Sequence, residues 1–392
     1  MKTGFHIGRI LGIDVRIDWS WLLIFLLIAW NLAVVFGTAH PDWGTGLRWG
    51  LAIVAALLFF ISVLAHEMAH SLVARANGIP VRGITLFLFG GVSSIERDPR
   101  SALSEFVMAI VGPLTSIIVG GILVGIAEIG NTALRGNLTI STEIIARLDP
   151  AFTLLLWLGS INVILGVFNM VPGFPLDGGR VLRSILWAVS GSFRKATRWA
   201  SWVGQGIAWL MIAGGIAMSF GAEIPYFGTG LLSGLWLAFI GWFLQNAAVQ
   251  SYQQVVVHDL LGGIQVRRMM RADPPTCEPG CTVSMLVNDH IMGKDDHAFP
   301  ILDNDRLVGL VTLDDVRKVS RDHWDSTLVR QIMTPADRLV IVSPDDDSAE
   351  ALTKLSQGDF NQLPVVENGR LVGLLRRRDI IRWLQLQSVE VR

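Results

Sequence analysis

The run HEMAH at residues 66–70 is where this chain could do chemistry. Histidines four apart on a helix lie one turn apart on the same face, so the imidazoles of His66 and His70 can bind one metal ion. Glu67 projects beside them and can take a proton from a metal-bound water. Zinc lowers the pKa of such a water toward 7, which makes hydroxide available at neutral pH. The setting strengthens the reading. The motif closes the apolar run FFISVLAHEMAH, and ionisable residues in such runs mark functional sites by default.

Catalytic zinc usually takes three protein ligands and leaves one position open. Asp177 is the best third ligand. It sits in NMVPGFPLDGG (residues 169–179), an apolar segment broken by two prolines and three glycines. Broken backbone at membrane depth survives only when it is buried in protein or lines a wet cavity. Asp177 would also cap the helix begun by GGRVLRSIL, a role compatible with being a ligand. Other carboxylates fit less well. Glu96, Asp98 and Glu105 are expected in or near a polar loop, and Glu128, Glu143, Asp149 and Glu223 on the far side of the membrane.

The elements that must hold these residues are set by composition. The chain has 392 residues, of which 51% are hydrophobic and 17% charged, against about 25% charged in soluble proteins. The deficit is uneven: residues 1–250 are 11% charged and residues 251–392 are 27% charged. Six stretches are long and apolar enough to cross about 30 Å of hydrocarbon: Trp19–Phe36, Leu47–Ala65, Phe106–Ile129, Phe152–Val171, Trp199–Phe220 and Leu231–Val249. The preceding segment, IGRILGIDVRIDWSW, reads as an interfacial strand or amphipathic lead-in. The segment ITLFLFGGVSSI (84–95) is too short to span. With the N-terminus inside, 12 Lys and Arg fall on the inner side and 3 in the outer loops, which orients both termini to the cytosol. The net charge is −1, without the basic excess of a nucleic-acid binder. The 14 Trp residues cluster at span ends as interfacial anchors.

HEMAH together with NMVPGFPLDGGR resembles the site-2 protease family of intramembrane zinc metalloproteases. That resemblance implies one zinc per chain held by His66, His70 and Asp177, with Glu67 as catalytic acid/base. Asn169 matches a motif Asn expected to orient substrate or the oxyanion, and is counted with Glu67 as catalytic. Gly90 and Gly91 resemble the glycine pair of a membrane-embedded hairpin beside the active site, which would position substrate. GPLTS (112–116) resembles a G-P-x-x-N/S element, with Ser116 where many members have Asn. The implied reaction is hydrolysis of a peptide bond within a transmembrane substrate. Its helix would unwind locally and lie along the sheet-like edge of residues 84–95.

Residues 266–390 repeat internally with a register of 64 residues. Met269 falls on Met333, Pro300 on Pro364, Gly309 on Gly373 and Asp315 on Asp379. Each copy reads as helix, short strand, helix, two strands split by an Asn-bearing turn, and helix. This resembles a tandem pair of cystathionine-β-synthase (CBS) domains. The resemblance implies an adenine nucleotide, ATP or AMP, at Gly309, Thr312 and Asp315, and at Asp379. Arg376 stands where the second copy should carry a hydroxyl, which weakens that site. A pairing role alone, through a homodimer, stays open. Cys277 and Cys281 form a CxxxC pair too sparse for a zinc site or a disulfide framework, and read as reduced thiols.

The expected fold is thus a polytopic α-helical membrane domain of six spans (1–250), a linker (251–265), and a soluble α/β tandem CBS module (266–325 and 326–392). The expected setting is the lipid bilayer of a prokaryotic cell (inner) membrane. Two competing readings are a CBS-regulated transporter using the His/Glu/Asp cluster as an ion path, and a catalytically dead scaffold. The intact ligand trio plus Glu67 speaks against the scaffold.

Overall fold

The structure, a computed structural model, describes residues 4–88, 90–95, 99–135, 149–224, 228–292, 296–358 and 360–388. Glu96, Asp98 and Glu143 lie outside them. The chain divides into two compact units, Met1–Gln253 and Gln254–Arg392.

The first unit opens on strands β1 (Gly4–Ile10) and β2 (Ile13–Asp18), where the interfacial lead-in was expected. Asp18 then caps helix α1 (Trp19–Ala39), accepting from the Ser20 amide at 2.9 Å. Helix α2 (Thr45–Ala76) follows. Its 32 residues span about 48 Å at 1.5 Å per residue, so it outruns the hydrocarbon and carries HEMAH in its second half. Strands β3 (Val81–Phe87) and β4 (Gly90–Ile95) come next. They complete a sheet of order β1-β2-β3-β4, in which β2 and β3 are parallel and the outer pairs antiparallel. Ile13 of β2 and Ile84 of β3 are fully buried and pack with Met68 of α2. The sheet therefore lies against the helix that bears the histidines.

Among the described residues helices α3 (Ala102–Arg135), α4 (Pro150–Asn169), α5 (Asp177–Ser190), α6 (Phe193–Ser219) and α7 (Leu231–Leu261) follow. Six of the helices are long and apolar enough to cross a membrane, α5 being the exception. Glycines let α3 and α4 approach: a Cβ at Gly120 would lie 2.6 Å from the Gly159 carbonyl oxygen. Small residues at the seam are the usual device where apolar burial cannot drive helix association. Glu105, expected in or near a polar loop, lies in the first turn of α3 and is fully buried. Residues 251–261 of the expected linker form the end of α7.

Among its described residues the second unit holds a sheet of order β5-β6-β9-β8. The strands are β5 (Ala298–Asp303), β6 (Arg306–Thr312), β8 (Gln362–Glu367) and β9 (Arg370–Arg376). The β5–β6 and β8–β9 hairpins turn on Asn304–Asp305 and Asn368–Gly369, all at positive φ, as two-residue turns between twisted strands require. The lead-in segments are exchanged. Thr334–Pro335, the short strand β7, pairs with β6 of the first copy. Arg271, from the first copy, bridges to Leu374 in β9 of the second. The cores follow suit: Val329 packs with Phe299 and Val311, while Val266 and Met269 pack with Val365 and Leu375. The crossings explain two glycines. A Cβ at Gly309 would meet Met333 Sδ at 2.5 Å, and one at Gly373 the Arg271 carbonyl oxygen at 2.8 Å. Cys277 and Cys281 are free thiols. Burial and the neighbouring Cys281 push the Cys277 thiol up to about 12.

Candidate metal centre

Helix α2 presents His66 and His70 from one face, both almost fully buried. Asp177 arrives from the first turn of α5, after the turn of residues 170–176. The three donor atoms form a near-equilateral triangle. His66 Nε2 lies 3.0 Å from Asp177 Oδ2, His70 Nε2 lies 3.2 Å from it, and the two Nε2 atoms are 3.2 Å apart. Ligands about 2.0–2.1 Å from a tetrahedral zinc are separated by roughly 3.3 Å, so the triangle has the size of one face of such a site. Among the described residues this is the one grouping of three His, Cys, Asp or Glu able to hold a metal ion.

The remaining ring nitrogens are also spoken for. His66 Nδ1 lies 2.9 Å from Ser116 Oγ, and His70 Nδ1 lies 2.5 Å from the Met108 carbonyl oxygen. The Met108 carbonyl can only accept, so His70 carries its proton on Nδ1 and turns the Nε2 lone pair toward the triangle. Both partners belong to α3, as does Gly112 between them. A Cβ there would sit 2.2 Å from His70 Nε2 and 2.7 Å from His66 Nε2. The space that glycine leaves is the space the metal needs. Glu67 leaves α2 beside the triangle, and its Oε2 accepts from Ser93 Oγ of β4 at 2.7 Å. Ser71 Oγ donates in turn to Ser93 Oγ at 3.1 Å. Gly91 is needed for this contact, since a Cβ would meet Glu67 Cγ at 2.4 Å. Gly90, with φ of 127°, starts the same strand.

Asn169 is the last residue of α4, where its Nδ2 donates to the Leu165 carbonyl oxygen at 3.0 Å. Among the described residues it makes no hydrogen bond to the triangle. Sequence reasoning missed Ser93, the Met108 carbonyl, and the partnership of Glu105 with Arg183. The GPLTS match pointed at Gly112 and Ser116 without a reason for either. The reason is spatial: Glu105, Met108, Gly112 and Ser116 recur every three or four residues and so share one face of α3.

In the second unit the two copies differ. Thr312 and Asp315 form a capping box at the start of helix Leu313–Arg317, with Thr312 Oγ1 donating to Asp315 Oδ2 at 2.7 Å. Lys318 Nζ donates to the other Asp315 oxygen at 3.0 Å. Burial raises the Asp315 carboxyl, but these donors prevail and hold it below the usual carboxylate range. In the second copy Arg376 grips Asp379 with two hydrogen bonds, of 2.6 and 2.9 Å. The same guanidinium reaches Asp296 at 3.2 Å, and Arg271 joins Asp296 at 2.5 Å. The carboxylate expected to hold a ribose is already engaged.

The family model described as "Peptidase family M50" matches residues 54–213, and that described as "CBS domain" matches 266–322 and 329–386. A protein of Synechocystis sp. named "Putative zinc metalloprotease" is 32% identical over 391 residues, covering 99% of this chain and 97% of its own. A protein of the same description from Mycobacterium tuberculosis is 30% identical over 388 residues, covering 98% and 94%. Among solved structures, "Site-2 Protease from Methanocaldococcus jannaschii" matches 64% of this chain and 95% of its own, with 26% identity and a TM-score of 0.41.

Proposed function

The chain belongs to peptidase family M50 and is an integral-membrane zinc metalloprotease with tandem CBS domains, and from that premise we propose that it cleaves peptide bonds inside transmembrane segments. The observation that carries this reading is the donor triangle of His66, His70 and Asp177, buried within an apolar helical bundle with Glu67 beside it. The ligand set is His66 Nε2, His70 Nε2 and Asp177 Oδ2. Zinc, when bound there, supplies Lewis-acid polarisation of a carbonyl and acidifies water. Everything else falls to side chains. Glu67 takes the proton of the attacking water and returns it to the departing amide nitrogen. Ser93 holds that carboxylate in place. An amide side chain has two N–H donors, and Asn169 spends one on Leu165, so the other serves the substrate carbonyl.

The substrate is a membrane protein whose helix opens locally. Its exposed backbone needs partners, and the outer edge of β4 offers them as an added strand. Strand β4 lies at the end of the sheet, and Gly90–Gly91 lead the edge past Glu67. The termini face the cytosol, in line with the Lys and Arg bias of the loops, in the inner membrane of a prokaryotic cell. On this reading the CBS module binds ATP or AMP through Thr312 and Asp315 and adjusts the protease, and it pairs two chains into a dimer.

The test is cleavage of a model transmembrane substrate by zinc-loaded protein in detergent. Wild type should cut and Glu67→Gln should lose at least about 100-fold in rate, the usual scale for general acid–base groups. Equal rates for the two would sink the proposal.

A further inference from the structure

The geometry points to Glu105 and Arg183 as a buried clamp that positions Asp177 against the histidines. This rests on the ligand set proposed above. Arg183 lies on α5, the helix that Asp177 begins. Its Nε donates to Glu105 Oε1 at 2.7 Å, and its Nη2 reaches the same oxygen. Arg180, one turn after Asp177, brings its Nε within 4.0 Å of that oxygen. The Glu105 side chain is fully buried and that of Arg183 is 8% exposed.

Two aromatic rings complete the grip. The Arg183 guanidinium carbon lies 5.0 Å from the Phe174 ring centroid and 4.5 Å from that of Phe193. Phe174 is in the turn leading to Asp177, and Phe193 opens the helix after α5. One guanidinium thus ties both flanks of α5 to α3. The other end of the tie is equally informative. Glu105 shares its face of α3 with Met108, Gly112 and Ser116, which orient the two histidines or leave room for the metal. The clamp therefore joins the helix that carries the third ligand to the helix that aligns the first two.

Stability does not account for such a pair. Two charges removed from water lose much of their mutual attraction to desolvation, and apolar replacements of similar volume are often neutral or better. Glu105 Oε2 adds to the cost, being buried without a hydrogen-bond partner among the described residues. A pair retained at that cost inside a membrane domain serves position.

The experiment uses the full-length protein in detergent, zinc-loaded, and titrated with a chelator. Glu105→Gln removes the carboxylate charge that faces Arg183 and is read alongside its melting transition. The double variant Glu105→Leu/Arg183→Met removes both charges and keeps the volume, so it preserves the fold. Zinc should leave this double variant at about 10-fold to 100-fold lower chelator concentration, the usual effect of losing a residue that orients a ligand. The cobalt-substituted protein should show shifted visible bands, and kcat should fall while KM holds. Asp177→Ala is the reference. If Asp177→Ala loses zinc and the folded double variant keeps it at the wild-type midpoint, the clamp is wrong and the ligand set stands. If Asp177→Ala also keeps its zinc, ligand set and clamp fall together.

Discussion

In residues 1–250 the described carboxylates near the metal centre are each held by a particular partner: Glu67 by Ser93, Glu105 by Arg183, Asp177 by two histidines. In residues 251–392, where charge is more than twice as dense, pairs such as Asp314–Arg317 lie more than three-quarters exposed. Exposed pairs of this kind contribute little, because water already satisfies both partners. Where charge is scarce, the buried charged groups report on a site. Where it is abundant, most of it is solubility, and only buried hubs such as Asp296 stand out. The contrast also predicts how hard each region should be to perturb.

The sharpest break would come from one methyl group. Gly112→Ala puts a Cβ against both ligand nitrogens, and zinc affinity by chelator titration should fall about 100-fold while the melting transition persists. Stoichiometric zinc in that variant would mean that α3 does not shape the site. Ser93→Ala should cost less, on the order of 10-fold in kcat with KM unchanged, because Glu67 stays but loses its anchor. A rise confined to KM would move Ser93 from the carboxylate to the substrate strand. An effect of similar size is expected in the module. Asp315→Ala should weaken ATP or AMP binding about 10-fold in calorimetry, the loss of a charged hydrogen-bond acceptor, whereas Asp379→Ala should leave it unchanged. Equal losses for both would show that the Arg376 grip opens for ligand.

Much of this site is legible in the sequence, and the limit is physical. HEMAH is readable because four residues make one helical turn, and the spans because hydrocarbon thickness sets their length. The repeat is readable through a fixed offset of 64 residues. The unreadable contacts cross long stretches of chain. Ser93 meets Glu67 over 26 residues, Met108 meets His70 over 38, and Glu105 meets Arg183 over 78. Glu105 hides for a further reason: its place beside Ser101 and Ser104 reads as polar surroundings, and only the packing shows that the first turn of α3 is buried there. The exchange of lead-in segments between the CBS copies is invisible for the same reason, since sequence order places Met333 in the second copy and packing places it in the first.

The two histidines differ in one respect that bears on how such a site can change over generations. His66 takes its orientation from a hydroxyl, that of Ser116, while His70 takes it from the main-chain carbonyl of Met108. A codon change can delete the first acceptor outright. No substitution at Met108 deletes the second, because every amino acid brings the same carbonyl. One ligand is therefore open to adjustment by point mutation and the other is inherited with the helix itself.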